Sequence, residues 1–404
     1  MSIPQPTYCR NVDSTTYAKD LKVSKTLFVN KIVPYSGDTV TIEGLVVPPP
    51  VIECLTLSAS QTIVGCDASN GVGANNTSLG ISAGQLLTTG ASNTLVGHSA
   101  GTSMTTGNGN TVVGNSAGNG LTTGLNNVVI GNNAGANIAG EDNNVLIGLN
   151  AGQNIATSQN VFIGASAGSA VTTGASNTLI GHIAGFSLTT GNDNTMLGWR
   201  AGRIMTTASS NTLVGKEAGT EITTGDGNTL IGQVAGSSIT TGIGNTVVGA
   251  NACPSLVDQA FNAVFGSTAG FSLTTGADNL LCGTRSGLSI ATGSNNVLVG
   301  NFTGSNAVGT LSGCVHLGYS AGQNNTVNNR LMIDNSTTNA PLIDGDFSGD
   351  TLQFNATTQI GKTGDTTVHR INTPIVGSSP DPSTDAIQIS INGTTYKLHL
   401  FPDT

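Results

Sequence analysis

Glu141, Asp193, Asp226 and Asp278 are the acids in the repeated part of this 404-residue chain that could form a hydrolytic pair. Cleaving a glycosidic bond needs two carboxylates held several ångströms apart on one face. These four sit seven, five, six and five residues before the glycine that closes their unit. They are out of register, so they read as acids exposed at turns, and no enzyme is expected. His98 and His182 occupy the same place in units five apart, roughly 24 Å at one strand spacing per unit. They cannot share a metal. The G-G-x-G-x-D nonapeptide that binds calcium is absent, so no metal and no cofactor is expected. Cys9, Cys54, Cys66, Cys253, Cys282 and Cys314 are irregularly spaced and lack a C-x-x-C pair. They read as free thiols of a reducing compartment. Trp199, the single tryptophan, is followed by Arg200. It could stack on a sugar or cover a turn.

A repeat must position all of these. Gly80, Gly97, Gly114, Gly131, Gly148, Gly164, Gly181, Gly198, Gly215, Gly232, Gly249, Gly266, Gly283, Gly300 and Gly318 mark it. Twelve of the fourteen intervals are 17 residues, one is 16 and one is 18. The unit reads N-T-Φ-Φ-G-x-x-A-G-x-x-Φ-T-T-G-x-x, with Φ apolar. A short fixed period predicts an all-β solenoid of about 15 coils, each stacked on the next. Gly at 56 residues and charged residues at 9% fit that class. There is no G-X-Y period, which excludes collagen. A net charge of −9 argues against nucleic-acid binding, because no basic stripe exists to displace counterions. No run of 18 apolar residues suggests a membrane span. The first twenty residues lack a basic stretch followed by an apolar one, so no secretory signal is expected.

Within a unit, runs such as NTLVG and NVFIG read as strands bounded by glycine turns. A second short strand is expected around the apolar residue seven after each marker glycine, which gives two strands per coil. The asparagine four residues before the marker recurs at Asn76, Asn93, Asn110, Asn127, Asn144, Asn160, Asn177, Asn194, Asn211, Asn228, Asn245, Asn262, Asn279 and Asn296; Cys314 ends the series. Stacked at one coil's spacing, these amides can bond above and below as a structural ladder. The T-T-G threonines are expected to form a second ladder, with one of each pair outward.

Two apolar residues precede each marker glycine, as in Val112-Val113, Val129-Ile130 and Leu146-Ile147. Adjacent strand residues face opposite sides. One fills the coil's interior, and the other would form a long outer stripe. Such a stripe is improbable on a soluble monomer. Three chains around one axis would bury it, so these six residues are candidate contacts of a homotrimeric rod.

The N-T-Φ-Φ-G-x-x-A-G…T-G pattern resembles the repeats of viral and phage tail-fibre proteins. It is more distantly similar to the trimeric β-roll heads of bacterial autotransporter adhesins, whose repeat is shorter. Residues 21–44 are similar to N-terminal shaft segments of the same fibres, and residues 328–355 resemble the segment that often follows such repeats in tail-fibre-like proteins. The resemblance implies a structural fibre or spike on the virion surface that mediates host attachment. It also implies a virion or capsid partner at the N-terminus and a host glycan or receptor as target. Residues 1–20 then form a polar anchor, 21–65 a β shaft segment, 66–325 the solenoid, 326–365 a neck and 366–404 a β-rich cap. In that cap Asn392-Gly393 signals a tight turn, and Tyr396, His399 and Phe401, with Trp199, are candidate receptor contacts. The coil around Cys253-Pro254 lacks both A-G and T-T-G, and a local bulge is expected there. The alternatives are a fibre-borne glycan depolymerase and an ice-binding solenoid suggested by the threonines.

Overall fold

The computed structural model describes residues 55–58, 61–64, 73–337, 340–355, 386–391 and 394–399. Among these there is no helix, and hence none long and apolar enough to cross a membrane. The polar segment 1–20, the Asn392-Gly393 turn and Phe401 lie outside the described residues.

The chain is an all-β solenoid with one strand per coil. A hairpin opens it: β1 (Leu55–Ser58) pairs antiparallel with β2 (Gln61–Val64). β2 then pairs parallel with β3 (Asn76–Leu79). The fourteen strands β4 to β17 are three residues each: Thr94–Val96, Thr111–Val113, Val128–Ile130, Val145–Ile147, Val161–Ile163, Thr178–Ile180, Thr195–Leu197, Thr212–Val214, Thr229–Ile231, Thr246–Val248, Ala263–Phe265, Leu280–Cys282, Val297–Val299 and Val315–Leu317. Every step is parallel and in register, as in Thr212↔Thr229, Leu213↔Leu230, Val214↔Ile231. β18 (Arg330–Ile333) continues the parallel run, and β19 (Ile343–Asp346) and β20 (Thr351–Phe354) close the sheet antiparallel. Separately, β21 (Ala386–Ile391) and β22 (Thr394–His399) pair antiparallel as a hairpin. Antiparallel strands thus flank the long parallel run at both ends. A short antiparallel end is one way to blunt an edge that would otherwise template further pairing.

The expected second strand is replaced by bent chain. Its backbone still bonds from coil to coil, but several donors converge on one carbonyl. The N–H groups of Thr88 and Gly90 and the Thr88 hydroxyl all donate to the Thr105 carbonyl, at 2.9, 3.3 and 3.0 Å. A strand ladder needs one donor per acceptor in alternation, and the T-T-G turn breaks that. Both threonines of the pair are at the surface, as at Thr189 and Thr190, rather than one in and one out.

The interior is thin and filled by three columns. Counted from the marker glycine, position 15 supplies Leu95, Val112 and their equivalents. Position 7 supplies Leu87, Met104 and theirs, and position 3 an alanine such as Ala100 or Ala117. All of these are buried. The chain turns by placing four residues per coil at positive φ. Two are glycines, for example Gly97 (φ 134) and Gly101 (φ 56); two are usually not, for example Ser99 (φ 56) and Ser92 (φ 59). The left-handed conformation is held even where the side chain opposes it, at Ile183 (φ 53) and Val234 (φ 61). The reason is that each of these N–H groups bonds the coil before, as Val234 does to the Lys216 carbonyl at 2.9 Å.

The expected bulge at Cys253-Pro254 is absent. β13 and β14 keep register there, Val247↔Val264, and the asparagine ladder passes through. Cys253 takes the usual glycine's place at φ 43, and its small thiol fits the space. Asp258, which replaces a threonine, accepts hydrogen bonds from the hydroxyls of Thr240 and Thr241. The substitutions are absorbed by side chains, so the backbone has no need to deform.

Candidate self-association surface

The asparagine ladder is a buried, directional chain of amides. Asn228 lies at 0% exposure. Its Nδ2 donates to Asn211 Oδ1 at 3.2 Å and to the Gly242 carbonyl of the next coil at 2.8 Å. Its Oδ1 accepts from the backbone N–H of Asn245 at 3.0 Å and from Asn245 Nδ2 at 3.1 Å. Four bonds satisfy the amide. The pattern loosens at the 16-residue coil, where Asn160 Nδ2 reaches Asn144 Oδ1 only at 3.5 Å and turns to Thr157 and Ser158. It stops at Asn296, whose Oδ1 takes only the Cys314 backbone N–H, at 3.1 Å. All fourteen asparagines serve the fold.

The pairs before the marker glycines split as their alternation requires. Val112, Val129 and Leu146 are fully buried in the chain's own core, so these three of the six expected contacts are unavailable to a partner. Val113, Ile130 and Ile147 face outward and are half-buried by their neighbours above and below. With Thr or Val at position 14, they form one flat outer face along the parallel sheet. Leu197, Ile231 and Phe265 in the same column are 47%, 37% and 39% exposed.

At the C-terminal end of this sheet the two faces exchange character. His316 points inward, and register places Met332, Asp344 and Gln353 on that same side. Arg330, Asp346 and Thr351 share it. The outward side carries Leu331, Ile333, Ile343, Leu352 and Phe354, with Gly345 between. Leu352 and Phe354 are 57% and 51% exposed. Where the rod core ends, the apolar face is therefore the outer one, in line with the stripe on the coils.

Trp199 sits at the surface beside cations. Arg200 lies 4.3 Å and Lys216 5.0 Å from its ring centroid, and Glu217 pairs with both cations at 3.7 and 3.9 Å. Cation–π contacts of this kind are worth about 0.5–1 kcal/mol at exposed sites. Tyr396 and His399 belong to β22. His98 and His182 are exposed, and Glu141, Asp193, Asp226 and Asp278 lie at turns. Among the described residues no three His, Cys, Asp or Glu gather to hold a metal. The described cysteines, Cys253, Cys282 and Cys314, are free; burial pushes the Cys253 thiol up to about 12 and raises that of Cys314.

Sequence reading missed a polar cluster in the last coil. His316 occupies position 15, where the other coils have Leu, Val, Met or Phe, apart from Ser78 in the first; that substitution was its only signal. It is fully buried, and its Nε2 lies 3.2 Å from Asn325 Nδ2. The amide nitrogen can only donate, so Nε2 accepts and the proton sits on Nδ1, which has no partner. Cys314, Arg330 and Asp344 complete the surroundings, the last two as an ion pair. Burial first, and the Arg330 cation second, hold the imidazole down at about 4, with Asp344 opposing. The unfolded chain takes up this proton near pH 6.5, so folded stability is full above that value and is lost as pH falls from 6.5 to about 4. The loss is about 3 kcal/mol at 1.36 per unit. His316→Leu is expected to flatten thermal stability between pH 7 and 4. Melting curves for both proteins across that range test it.

No protein-family profile, no curated protein and no solved structure matches this chain.

Proposed function

We propose that this protein is a structural fibre of the viral or phage type: a rod of three parallel chains that carries an attachment function between a particle and a host surface. The observation that supports it is the outward apolar column, beside the position-14 residues, that runs without interruption from the coils onto Phe354. At about 4.8 Å per strand and roughly 10 Å across, this face amounts to about 800 Å² per chain, which a three-chain rod divides between two neighbours. A rod whose chains cover one another's stripes leaves only turns exposed. Regular turns suit a spacer or a display surface better than a catalyst. The N-terminal segment is the proposed particle anchor, and a host glycan or receptor is the proposed target.

The test is the solution mass. Mass photometry is expected to return three times the chain mass, with rods about 70 Å long over the coils in electron micrographs. Ile130→Asp is expected to convert the trimer to monomer, because a charge buried between chains is costly. A wild-type monomer at micromolar concentration rules the reading out.

A second reading follows from the same face. Thr178, Thr195, Thr212, Thr229 and Thr246 stand in register at position 14. Each is two residues from an outward Ile, Leu or Val, a regular array of the sort that can order water against ice. Assembly and ice binding would compete for this face. Thermal hysteresis from a monomer would favour the second reading.

A further inference from the structure

The rod's charges are few and sorted by edge. In the coils between residues 73 and 325 the described cations are Arg200, Arg203, Lys216 and Arg285, all on the turn that follows the strand. On the turn that precedes the strand stand Glu141, Asp142, Asp193, Asp226, Asp258 and Asp278. Glu217 and Glu221 are the two acids on the cation side. The apolar face therefore runs between an acidic edge and a mainly basic one.

Two levels of the rod carry both signs. Asp193 and Arg200 flank β10 (Thr195–Leu197), and Asp278 and Arg285 flank β15 (Leu280–Cys282), each acid seven residues before its arginine. All four sit at positive φ, between 57 and 60, at the corners where the strand begins and ends. Within one chain the strand separates acid from base. No described ion pair contains Asp193, Asp278 or Arg285, and neither aspartate has a side-chain hydrogen bond. By contrast, the carboxylates of Asp142 and Asp226 are occupied by backbone N–H groups of the preceding coil, Leu125 and Ser209. Arg200 already has Glu217, whereas Arg285 lies over the Phe302 ring at 5.6 Å and has no described acid beside it, so the clearer pair is Asp278 and Arg285.

The geometry points to copies of this chain that associate parallel and in register around a common axis, with Asp193 and Asp278 of each copy against Arg200 and Arg285 of the next. In such a ring the opening edge of one strand meets the closing edge of its neighbour at the same level. This rests on the self-association proposed above and adds its direction and register. A slip of one coil would set Arg200 against Ser176 or Ser210, and Arg285 against Phe261 or Asn295, so both contacts would be lost together. Complementary edge charges of this kind fix register and exclude wrong pairings more than they add affinity.

The experiment uses the full chain in three forms, Asp278→Arg, Arg285→Asp and the two combined. Association is measured by mass photometry over a concentration series at low ionic strength. Each single reversal is expected to weaken association roughly tenfold, three like-charge contacts replacing three attractive ones. The combined variant is expected to recover wild-type association within about twofold, because every contact is again between opposite charges. Circular dichroism of each form shows whether the rod itself is folded. Should one single variant fail to fold, recovery in the combined variant still reads the pairing. A trimeric wild type whose association ignores either reversal, or a combined variant weaker than both singles, overturns the register and leaves the rod assembly standing. A monomeric wild type overturns both.

Discussion

Gly232→Ala is expected to break the rod at its middle. Gly232 has φ 136, a conformation open only to glycine, and an added Cβ would meet the Gly249 carbonyl oxygen at 2.5 Å and its carbon at 2.6 Å. That neighbour is backbone of the next coil and has nowhere to go. Strain of about 1–3 kcal/mol and overlap of about 1–3 kcal/mol combine to roughly 4 kcal/mol. Coils touch only their neighbours, so the damage should divide one cooperative unfolding unit into two. Gly227 provides the contrast. It also has positive φ, at 68, but nothing lies within 4 Å of an added Cβ, and its position carries Asn126 and Asn143 in other coils. Gly227→Asn is expected to cost less than about 1 kcal/mol. Thermal melts of the two variants side by side check this, and equal losses would contradict it.

Asn228→Ala is expected to be nearly as damaging. It strands the Asn245 backbone N–H, one N–H of the Asn245 amide and the Gly242 carbonyl, all buried. At about 1–3 kcal/mol for each unsatisfied group, the loss is at least about 3 kcal/mol per chain. Asn108→Ala, on the exposed turn, removes one bond from the Ala91 N–H and should cost about 1 kcal/mol or less, since water can replace it. Chemical denaturation of both variants is the measurement. An Asn228→Ala protein as stable as the Asn108→Ala protein would mean that water enters the ladder.

Much of this fold was legible because the period is strict and each column has a single task. The marker glycines are glycine because the backbone of the next coil excludes a Cβ. The asparagines recur because the amide's four bonds need that residue at that height in every coil. Alternation assigned one apolar residue of each pair to the outside, and Val113 and Ile130 are there. Other features were not legible. The second strand failed because hydrogen-bond convergence on the T-T-G carbonyls depends on the three-dimensional turn. The bulge at Cys253 failed because a small thiol can take a glycine's place when neighbouring coils impose the backbone. The exchange of faces at β18 to β20 was hidden because it follows from register, Leu331 beside Val315 and Leu352 beside Gly345, which no local pattern states. The sorting of charge to two edges was likewise invisible until the coils were stacked.

The asparagine ladder also gives the rod a polarity of its own. In most coils the amide carbonyl accepts from the next, C-terminal asparagine, and one N–H of the amide donates back to the carbonyl of the preceding one. The carboxamide dipoles therefore lie head to tail along the axis and reinforce one another. Their positive end faces the N-terminus, and the row closes where Cys314 offers a thiol in place of an amide. A coil presented upside down to either end would meet donor with donor or acceptor with acceptor. Stacking of such coils is vectorial, and it continues in parallel onto β18 beyond the last amide of the row.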